Sequence, residues 1–169
     1  ALRRSFNVKQ KGASIIRWKE RGPVNVPGRV RGISVAPDNP DKWYAGSVGG
    51  GLWRTVDAGK TWENLTDYKV PNLATSTVAI SQSNPRKLYV GTGEPFRKLD
   101  AIGGIGLLKT TNEGRSWDYL SNTKNFGGIG RLALNPEDDN HLIVASSTGI
   151  YVTKDGGETW QHTYDKGNV

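Results

Sequence analysis

The nine residues VTKDGGETW, Val152 to Trp160, decide the fold, because nearly the same nine residues occur twice more in the chain. KTTNEGRSW spans Lys109 to Trp117, and RTVDAGKTW spans Arg54 to Trp62. All three stretches follow the pattern Thr-x-Asp/Asn-x-Gly-x-Thr/Ser-Trp. Such self-similarity within a chain of 169 residues predicts a repeating structural unit rather than an irregular fold.

The residue types of this pattern favour a tight turn that stabilises itself. The Asp or Asn side chain is expected to accept hydrogen bonds from backbone N–H groups one or two residues ahead. The glycine permits a positive φ, the hydroxyl groups add local hydrogen bonds, and the tryptophan offers a large apolar face for packing. We therefore predict a structural role for the positions of the pattern, which are Thr55, Asp57, Gly59, Thr61, Trp62, Thr110, Asn112, Gly114, Ser116, Trp117, Thr153, Asp155, Gly157, Thr159 and Trp160.

Each turn closes a longer repeated segment with the same order of features. Alternating apolar residues come first, followed by a Pro/Asn/Asp turn, a short apolar strand, a glycine-containing connection, a third strand and the turn that leads to the tryptophan. This order predicts four short strands in an antiparallel meander. The repeated turns are 55 and 43 residues apart, from Asp57 to Asn112 and from Asn112 to Asp155, and β-propeller blades have roughly 40–50 residues. We therefore predict an all-β fold with three consecutive four-stranded antiparallel blades of a β-propeller.

The repeats also predict how the chain is divided. The propeller part is expected over residues 28–169, with blades at about 28–69, 70–124 and 125–169. Residues 1–27 are expected to form a basic N-terminal arm or a closing strand. The second blade carries an insertion, EPFRKLDAIGG, from Glu94 to Gly104. Because a closed propeller needs about 4–8 blades, we expect the rest of the same polypeptide or other chains to complete the ring.

Composition excludes several classes of function. The chain has no Cys, which rules out disulfides and thiolate metal sites, and its histidines, His141 and His162, are too few to predict a metal centre. No cofactor motif is present, and no run of about 20 apolar residues predicts a membrane span. The net charge of +7 permits a polyanionic partner, but no RNA-binding, zinc-finger or helix-turn-helix pattern supports nucleic-acid binding.

The repeated turn resembles the Asp-box, or bacterial neuraminidase repeat. That repeat occurs in sialidases, in xyloglucan-active glycoside hydrolases, in sortilin-like receptor domains and in a photosystem assembly factor. The segment GRVRGISVAPDNPDKWYAGSVGGGLWRT, residues 28–55, is most similar to large secreted bacterial proteins of this class. The resemblance implies a β-propeller in a protein that is secreted or displayed on a bacterial cell surface.

The resemblance also implies where catalytic residues would lie, and this chain departs from that pattern. In the xyloglucan-active family, one catalytic Asp lies between the second and third strands of an early blade. The matching stretch here is GSVGGG, where the position of the acid falls on Val48. A sialidase would need an arginine triad and an Arg-Ile-Pro start, whereas VPGRVRG offers Arg29 and Arg31 without that start. The resemblance therefore implies the scaffold more strongly than the activity.

The insertion of the second blade contains the best candidate site. Glu94 and Asp100 are the weak candidates for an acid/base pair. Ligand or partner contact is the alternative role, and its candidate residues are Glu94, Arg97, Lys98, Asp100, Arg29 and Arg31.

Three functions remain open at this point. The leading hypothesis is a non-catalytic binding or scaffold module that takes a protein or polysaccharide ligand. The second is a xyloglucanase-like or sialidase-like glycoside hydrolase whose catalytic residues lie mostly outside this chain. The third is a sortilin-like receptor, which is weakened because no Cys-rich partner region is seen.

Overall fold

The repeats fold into three separate antiparallel sheets. The computed structural model of the chain describes residues 29–95 and 99–165, and within them each sheet has four strands in sequence order. The predicted arm, residues 1–27, lies outside the described residues. The first blade contains β1 (Val30–Ala36), β2 (Asn39–Ser47), β3 (Gly51–Thr55) and β4 (Glu63–Asn64). The second contains β5 (Thr75–Ile80), β6 (Leu88–Thr92), β7 (Leu107–Thr110) and β8 (Asp118–Leu120). The third contains β9 (Ile129–Leu134), β10 (Leu142–Ser146), β11 (Gly149–Thr153) and β12 (Gln161–Tyr164).

The three sheets share one register, so equivalent residues can be compared directly. Directly opposite residues of antiparallel strands point to the same face of the sheet. The second and third strands pair equivalently in every blade, as the partners Trp43↔Thr55, Leu88↔Thr110 and Leu142↔Thr153 establish. The all-β prediction and its four-stranded antiparallel units are therefore confirmed.

The innermost strands of successive blades pack side by side. β1 lies against β5, and β5 lies against β9. The first of these approaches depends on Gly32, because a Cβ atom at this position would lie 2.9 Å from the Thr77 Cα atom. First strands that are packed around a common axis are the arrangement of a β-propeller. The three sheets are thus consecutive blades.

Each pair of neighbouring blades encloses an apolar core. Between the first and second blades, Tyr44, Leu52 and Leu65 pack against residues that include Val78 and Leu108. Between the second and third blades, Leu107 and Phe126 pack against Ile129 and Val144. Phe126 ends a 3₁₀ segment, Ser121–Phe126, that links these two blades. The cores lie between blades, so a blade depends on its neighbours to bury its apolar faces.

The Asp-box turns use longer-range hydrogen bonds than the sequence suggested. The prediction placed the donors one or two residues ahead of the acidic side chain, and this was wrong. In the first turn, Asp57 Oδ1 accepts from the N–H groups of Lys60 and Thr61, both at 2.9 Å, which are three and four residues ahead. The Thr61 hydroxyl donates to Asp57 Oδ2 at 2.7 Å, and the Gly59 N–H donates to Thr55 Oγ1 at 2.9 Å.

Two consecutive left-handed residues explain this difference. In the first turn Ala58 has a φ of 57° and Gly59 a φ of 84°, and in the third Gly156 and Gly157 take φ values of 73° and 100°. This pair turns the chain back so that the N–H groups three and four residues ahead face the carboxylate. The sequence pattern predicted only the second of the two positions, because non-glycine residues rarely adopt a positive φ.

Candidate functional site

The predicted site residues come together at the end of the molecule where the innermost strands begin. Arg29 immediately precedes β1, Arg31 lies in β1, and Glu94 follows β6 in the second blade. The connection from β6 to β7 covers residues 93–106, whereas the equivalent connections cover residues 48–50 and 147–148. The long connection therefore lies in the second blade, as the insertion predicted, and it brings Glu94 against the first blade.

The Glu94 carboxylate is buried and is held by two guanidinium groups. Its side chain is only 3% exposed. Arg29 binds it through both terminal nitrogens, with Nη1 to Oε1 at 3.2 Å and Nη2 to Oε2 at 3.2 Å. Arg31 Nη2 donates to Oε1 at 3.3 Å, and the Ile102 N–H donates to Oε2 at 3.3 Å. Such charge-assisted and backbone donors stabilise the negatively charged carboxylate in a buried position.

The insertion folds back on itself so that its second half supports Glu94. The Glu94 N–H donates to the Ile102 carbonyl at 2.9 Å, and Asn72 Nδ2 donates to the Gly103 carbonyl at 3.0 Å. Asp100 lies at the exposed side of the cluster, where its Oδ2 is 3.9 Å from Arg29 Nη1. Both predicted carboxylates thus face the guanidinium of Arg29, but only Glu94 is enclosed. Arg97 and Lys98, the other predicted contacts, lie outside the described residues.

A cleft of about 240 Å³ opens beside this cluster, near the axis of the blades. Three of its residues, Arg31, Ser76 and Gly130, occupy equivalent positions on the innermost strands of the three blades. The full lining is Val30, Arg31, Ser76, Glu94, Pro95, Gly130 and Arg131. Ser76, Gly130 and Arg131 were missed in the sequence analysis. An alignment of the three repeats could have identified them, because residues at or next to the position of Arg31 lie close together near the axis.

Val48, at the position where the xyloglucan-active pattern implies an acid, is buried. Its side chain is aliphatic, and the residue is only 3% exposed. Its N–H donates to the Arg29 carbonyl at 2.9 Å, so this connection braces the segment that carries the arginines. The structure therefore gives Val48 a packing role beside the candidate site.

The Asp-box residues have a different environment, on the turns between the third and fourth strands. Hydrogen bonds from the Thr61 N–H and hydroxyl hold the pKa of Asp57 well below its ordinary value. Hydrogen bonds from the Thr153 and Thr159 hydroxyls do the same for the pKa of Asp155. Their donors belong to their own turns, so these carboxylates serve as turn acceptors.

Sequence reasoning missed two buried lysines that join neighbouring blades. Lys42 Nζ lies 3.1 Å from Glu113 Oε1 in the second blade, and Lys87 Nζ lies 2.8 Å from Asp139 Oδ1 in the third. The hydrogen bond from Lys87 is the largest influence on Asp139 and holds the pKa of that carboxyl below its ordinary value against the opposing effect of burial. The two lysines occupy equivalent positions, one residue before Trp43 and one residue before Leu88, so an alignment of the repeats could have identified them.

Comparisons with known proteins agree with this architecture. The BNR/Asp-box repeat model matches residues 151–162, which include the whole of the third turn. A xyloglucanase from a Paenibacillus species is 28% identical over 161 residues, which cover 85% of this chain and 15% of that protein. A probable oligoxyloglucan-reducing end-specific xyloglucanase from Neosartorya fischeri is 28% identical over 124 residues, and 14% of its length is covered. The chain thus spans less than a fifth of these curated relatives. In the part of the chain that the structure describes, no helix is long and apolar enough to cross a membrane.

Solved structures show the same fold. An ancestral GH74 enzyme matches with a TM-score of 0.68 and 24% identity, covering 86% of this chain and 20% of its own. The GH74 xyloglucanase from Xanthomonas campestris matches with a TM-score of 0.62 and 23% identity, covering 80% of this chain and 20% of its own. The chain therefore carries the BNR/Asp-box repeat and forms three β-propeller blades that are related to a part of the xyloglucanases.

Proposed function

We propose that these three blades form a non-catalytic binding and scaffold segment of a glycoside-hydrolase-related propeller in an exported protein. The observation that carries this proposal is the Glu94 carboxylate, which is buried and saturated by the guanidinium groups of Arg29 and Arg31. Similarity to xyloglucanases supports the relation to carbohydrate-active proteins. We include export in the proposal because these relatives are xyloglucanases, and a polysaccharide does not cross a membrane.

The environment of Glu94 fits neither role of a glycosidase carboxylate. A general acid must reach the leaving oxygen within hydrogen-bond distance. Both carboxylate oxygens of Glu94 are instead engaged by the guanidinium groups of Arg29 and Arg31 and by the Ile102 N–H. A nucleophile must reach the anomeric carbon, yet the Glu94 side chain is only 3% exposed. Asp100 is 73% exposed and lacks such positioning partners beyond Arg29 in the part of the chain described.

The cleft beside Glu94 suits contact with a ligand better than bond cleavage. Arg31 and Arg131 are among its lining residues, whereas the buried Ser76 hydroxyl already donates to the Gly91 carbonyl. Guanidinium groups donate hydrogen bonds to the hydroxyl and ring oxygens of a saccharide. Glu94 then acts as a positioning residue that fixes the two arginines. The Val48 N–H holds the same segment through its hydrogen bond to the Arg29 carbonyl.

The alternative is a xyloglucanase-like or sialidase-like glycoside hydrolase whose catalytic residues lie mostly outside these three blades. The names of the relatives favour this alternative for the whole protein, since both are xyloglucanases. It is compatible with a binding role for these three blades, because a cleft needs residues that hold the polysaccharide as well as residues that cut it. The two functions therefore differ in whether Glu94 or Asp100 contributes to the cleavage.

The test is an assay of the protein with its complete polypeptide on xyloglucan and on a panel of other polysaccharides and sialosides. Glu94→Gln and Asp100→Asn are compared with Glu137→Gln, a matched change at an exposed turn of the third blade. We expect kcat of both site variants to stay within about twofold of the control, while polysaccharide affinity weakens in Glu94→Gln. A loss of about 100-fold or more in kcat, in a folded variant, is the size of a removed general acid and would refute the non-catalytic role.

A further inference from the structure

The third Asp-box differs from the other two in the residue that follows the acceptor side chain. The dipeptide is Asp155-Gly156 there, whereas it is Asp57-Ala58 in the first turn and Asn112-Glu113 in the second. In a flexible chain, Asp-Gly is the aspartyl dipeptide most prone to isomerise, because glycine has no Cβ atom that hinders attack of its nitrogen on the aspartyl carboxyl group. The third turn thus combines the Asp-box acceptor with a chemically labile sequence.

Contact with the second blade accounts for this glycine. A Cβ atom at position 156 would lie 2.9 Å from Asn140 Oδ1 and 3.3 Å from both the Tyr89 hydroxyl and Lys109 Nζ. The Gly156 carbonyl accepts hydrogen bonds from the same two groups of the second blade. The turn conformation itself accepts a side chain, since Ala58 has a φ of 57° at the equivalent position. Close packing of two blades therefore places a labile dipeptide at their interface.

The folded turn engages both groups that would have to react. Asp155 Oδ1 accepts from the Thr153 hydroxyl at 2.6 Å and from the Thr159 N–H at 2.9 Å, and the Thr159 hydroxyl donates to Oδ2. The nitrogen of Gly156 donates to the Asn140 carbonyl at 2.9 Å. These donors favour the ionised carboxylate, which is a poor electrophile. The reaction therefore requires that the turn opens.

We propose that Asp155 is a site of spontaneous isomerisation to isoaspartate, and that opening of the contact between the second and third blades controls its rate. In the open turn, the Gly156 nitrogen forms a bond to Asp155 Cγ. The N–H proton and the carboxyl hydroxyl leave as one water, which gives a five-membered succinimide. One water then adds to the former main-chain carbonyl and breaks its bond to the nitrogen. The main chain now runs through Cγ, and the mass of the protein is unchanged.

The product cannot rebuild the turn. An isoaspartate lengthens the main chain by one carbon and leaves a carboxylate on Cα in place of the aspartyl side chain. The folded turn needs the original path, because the Gly157 N–H donates to Thr153 Oγ1 at 3.0 Å while the Gly156 carbonyl meets Tyr89. A longer path cannot satisfy both contacts. The modification therefore outlasts the opening that allowed it and loosens the interface of the two blades.

The first test measures isoaspartate at individual residues of the complete polypeptide, by peptide mapping with chromatographic separation of the isomers. Asp57 serves as the internal control, because alanine follows it. In guanidinium chloride at neutral pH we expect Asp155 to isomerise several-fold faster than Asp57. In native buffer the rate at Asp155 should fall at least ~100-fold, since the reaction then needs local opening. Equal rates at the two residues in denaturant, or equal rates at Asp155 in both solvents, would overturn the proposal.

The second test loosens the blade contact without changing the labile dipeptide. Tyr89→Phe removes the hydroxyl that donates to the Gly156 carbonyl. Tyr44→Phe is the matched control, because Tyr44 occupies the equivalent position of the first blade. We expect Tyr89→Phe to raise the native rate at Asp155 about fivefold, as one lost hydrogen bond predicts, and to leave the rate in guanidinium chloride unchanged. A native rate that is unaffected by Tyr89→Phe, or that rises equally in Tyr44→Phe, contradicts control by this contact.

Discussion

The two blade–blade interfaces share the same backbone arrangement but are held together by different contacts. Between the first and second blades, the Glu113 side chain reaches across to Lys42 and to Arg54, at 3.1 and 3.4 Å. Between the second and third blades, Gly156 occupies the position of Glu113. There the Gly156 backbone carbonyl accepts from the Tyr89 hydroxyl and from Lys109 Nζ, both at 3.1 Å.

The difference teaches which part of the Asp-box is free to vary. The residue after Asp or Asn is left-handed in both turns, with φ of 60° at Glu113 and 73° at Gly156. Where the neighbouring blade offers cations, a charged side chain offsets the cost of this conformation. Where the neighbour packs on the turn backbone, the space for a Cβ atom is lost. The turn therefore contacts the neighbouring blade as well as stabilising its own conformation.

Adding a side chain at Gly156 is expected to have the largest effect on the free energy of unfolding. A Cβ atom there would lie 2.9 Å from Asn140 Oδ1 and 3.3 Å from the Tyr89 hydroxyl. Gly156→Ala therefore adds left-handed strain and overpacking, and should lower the free energy of unfolding by about 3 kcal/mol. Urea unfolding followed by tryptophan fluorescence measures this change.

The matched control for Gly156→Ala is the opposite change at the first turn. Ala58 has a φ of 57° and lies at the equivalent position. Ala58→Gly removes the strain of a left-handed alanine and should raise the free energy of unfolding by up to about 1 kcal/mol. Equal effects of both variants, in the same direction, would contradict the different packing of the two turns.

Removing the charge of either buried lysine should have the next largest effect. The side chains of Lys42 and Lys87 are each 9% exposed. Lys87→Met leaves Asp139 without its ion-pair partner and should cost about 2 kcal/mol, which is between the values for surface and buried pairs. Lys42→Met should cost a similar amount and should be coupled to Glu113→Gln in a double-mutant cycle, because the two residues share one contact.

The pH dependence of the Lys87 effect has a defined sign. Lys87 holds the pKa of Asp139 below its ordinary value in the folded state. The pair therefore stabilises the fold above the unfolded pKa of about 3.9, and this contribution is lost as pH falls through the folded pKa. The penalty of Lys87→Met should consequently shrink below pH 4. A penalty that grows on acidification would contradict the ion pair.

The repeat made most of the architecture predictable. Contacts between blades and unusual backbone conformations could not be predicted from it. Thr110, Asn112 and Gly114 define a turn by residue type alone, so strands and blades followed from their spacing. The partner of Glu113 did not follow, because Lys42 lies in another blade at a distance that only the packing of two sheets determines. The left-handed conformation of Ala58 was missed since alanine gives no sequence signal for it.

The candidate site was predictable in part for the same reason. Glu94 and Asp100 stood out because an insertion interrupts the repeat, and Arg29 stood out in the comparison of VPGRVRG with the start of a sialidase. Arg131 was missed although it follows Gly130, the equivalent of Arg31, in the third blade. The burial of Glu94 could not be predicted from the sequence either, because it depends on the fold of the insertion and on its contact with the first blade.

The smallest effect is expected from exchanging the acceptor of the second Asp-box. Asn112 Oδ1 accepts from the Ser116 N–H at 2.9 Å, and Asn112 Nδ2 donates to Ser116 Oγ at 2.8 Å. In Asn112→Asp the direction of the second bond reverses, since the hydroxyl can donate to a carboxylate as the Thr159 hydroxyl donates to Asp155. Both hydrogen bonds are kept, so the midpoint of urea unfolding at pH 7 should stay within experimental error of the parent.

Acid should separate Asn112→Asp from the parent where neutral pH does not. Hydroxyl and backbone donors of its own turn hold the pKa of Asp155 well below the ordinary value, and the carboxylate introduced by Asn112→Asp would gain the equivalent donors. A carboxyl whose folded pKa is lowered stabilises the fold above the unfolded pKa of about 3.9 and loses this contribution as pH falls. The variant should therefore lose more stability between pH 7 and pH 3 than the parent, and Asp155→Asn should lose less. Identical acid dependence in all three proteins would show that the carboxylate of the turn contributes only as a neutral acceptor does.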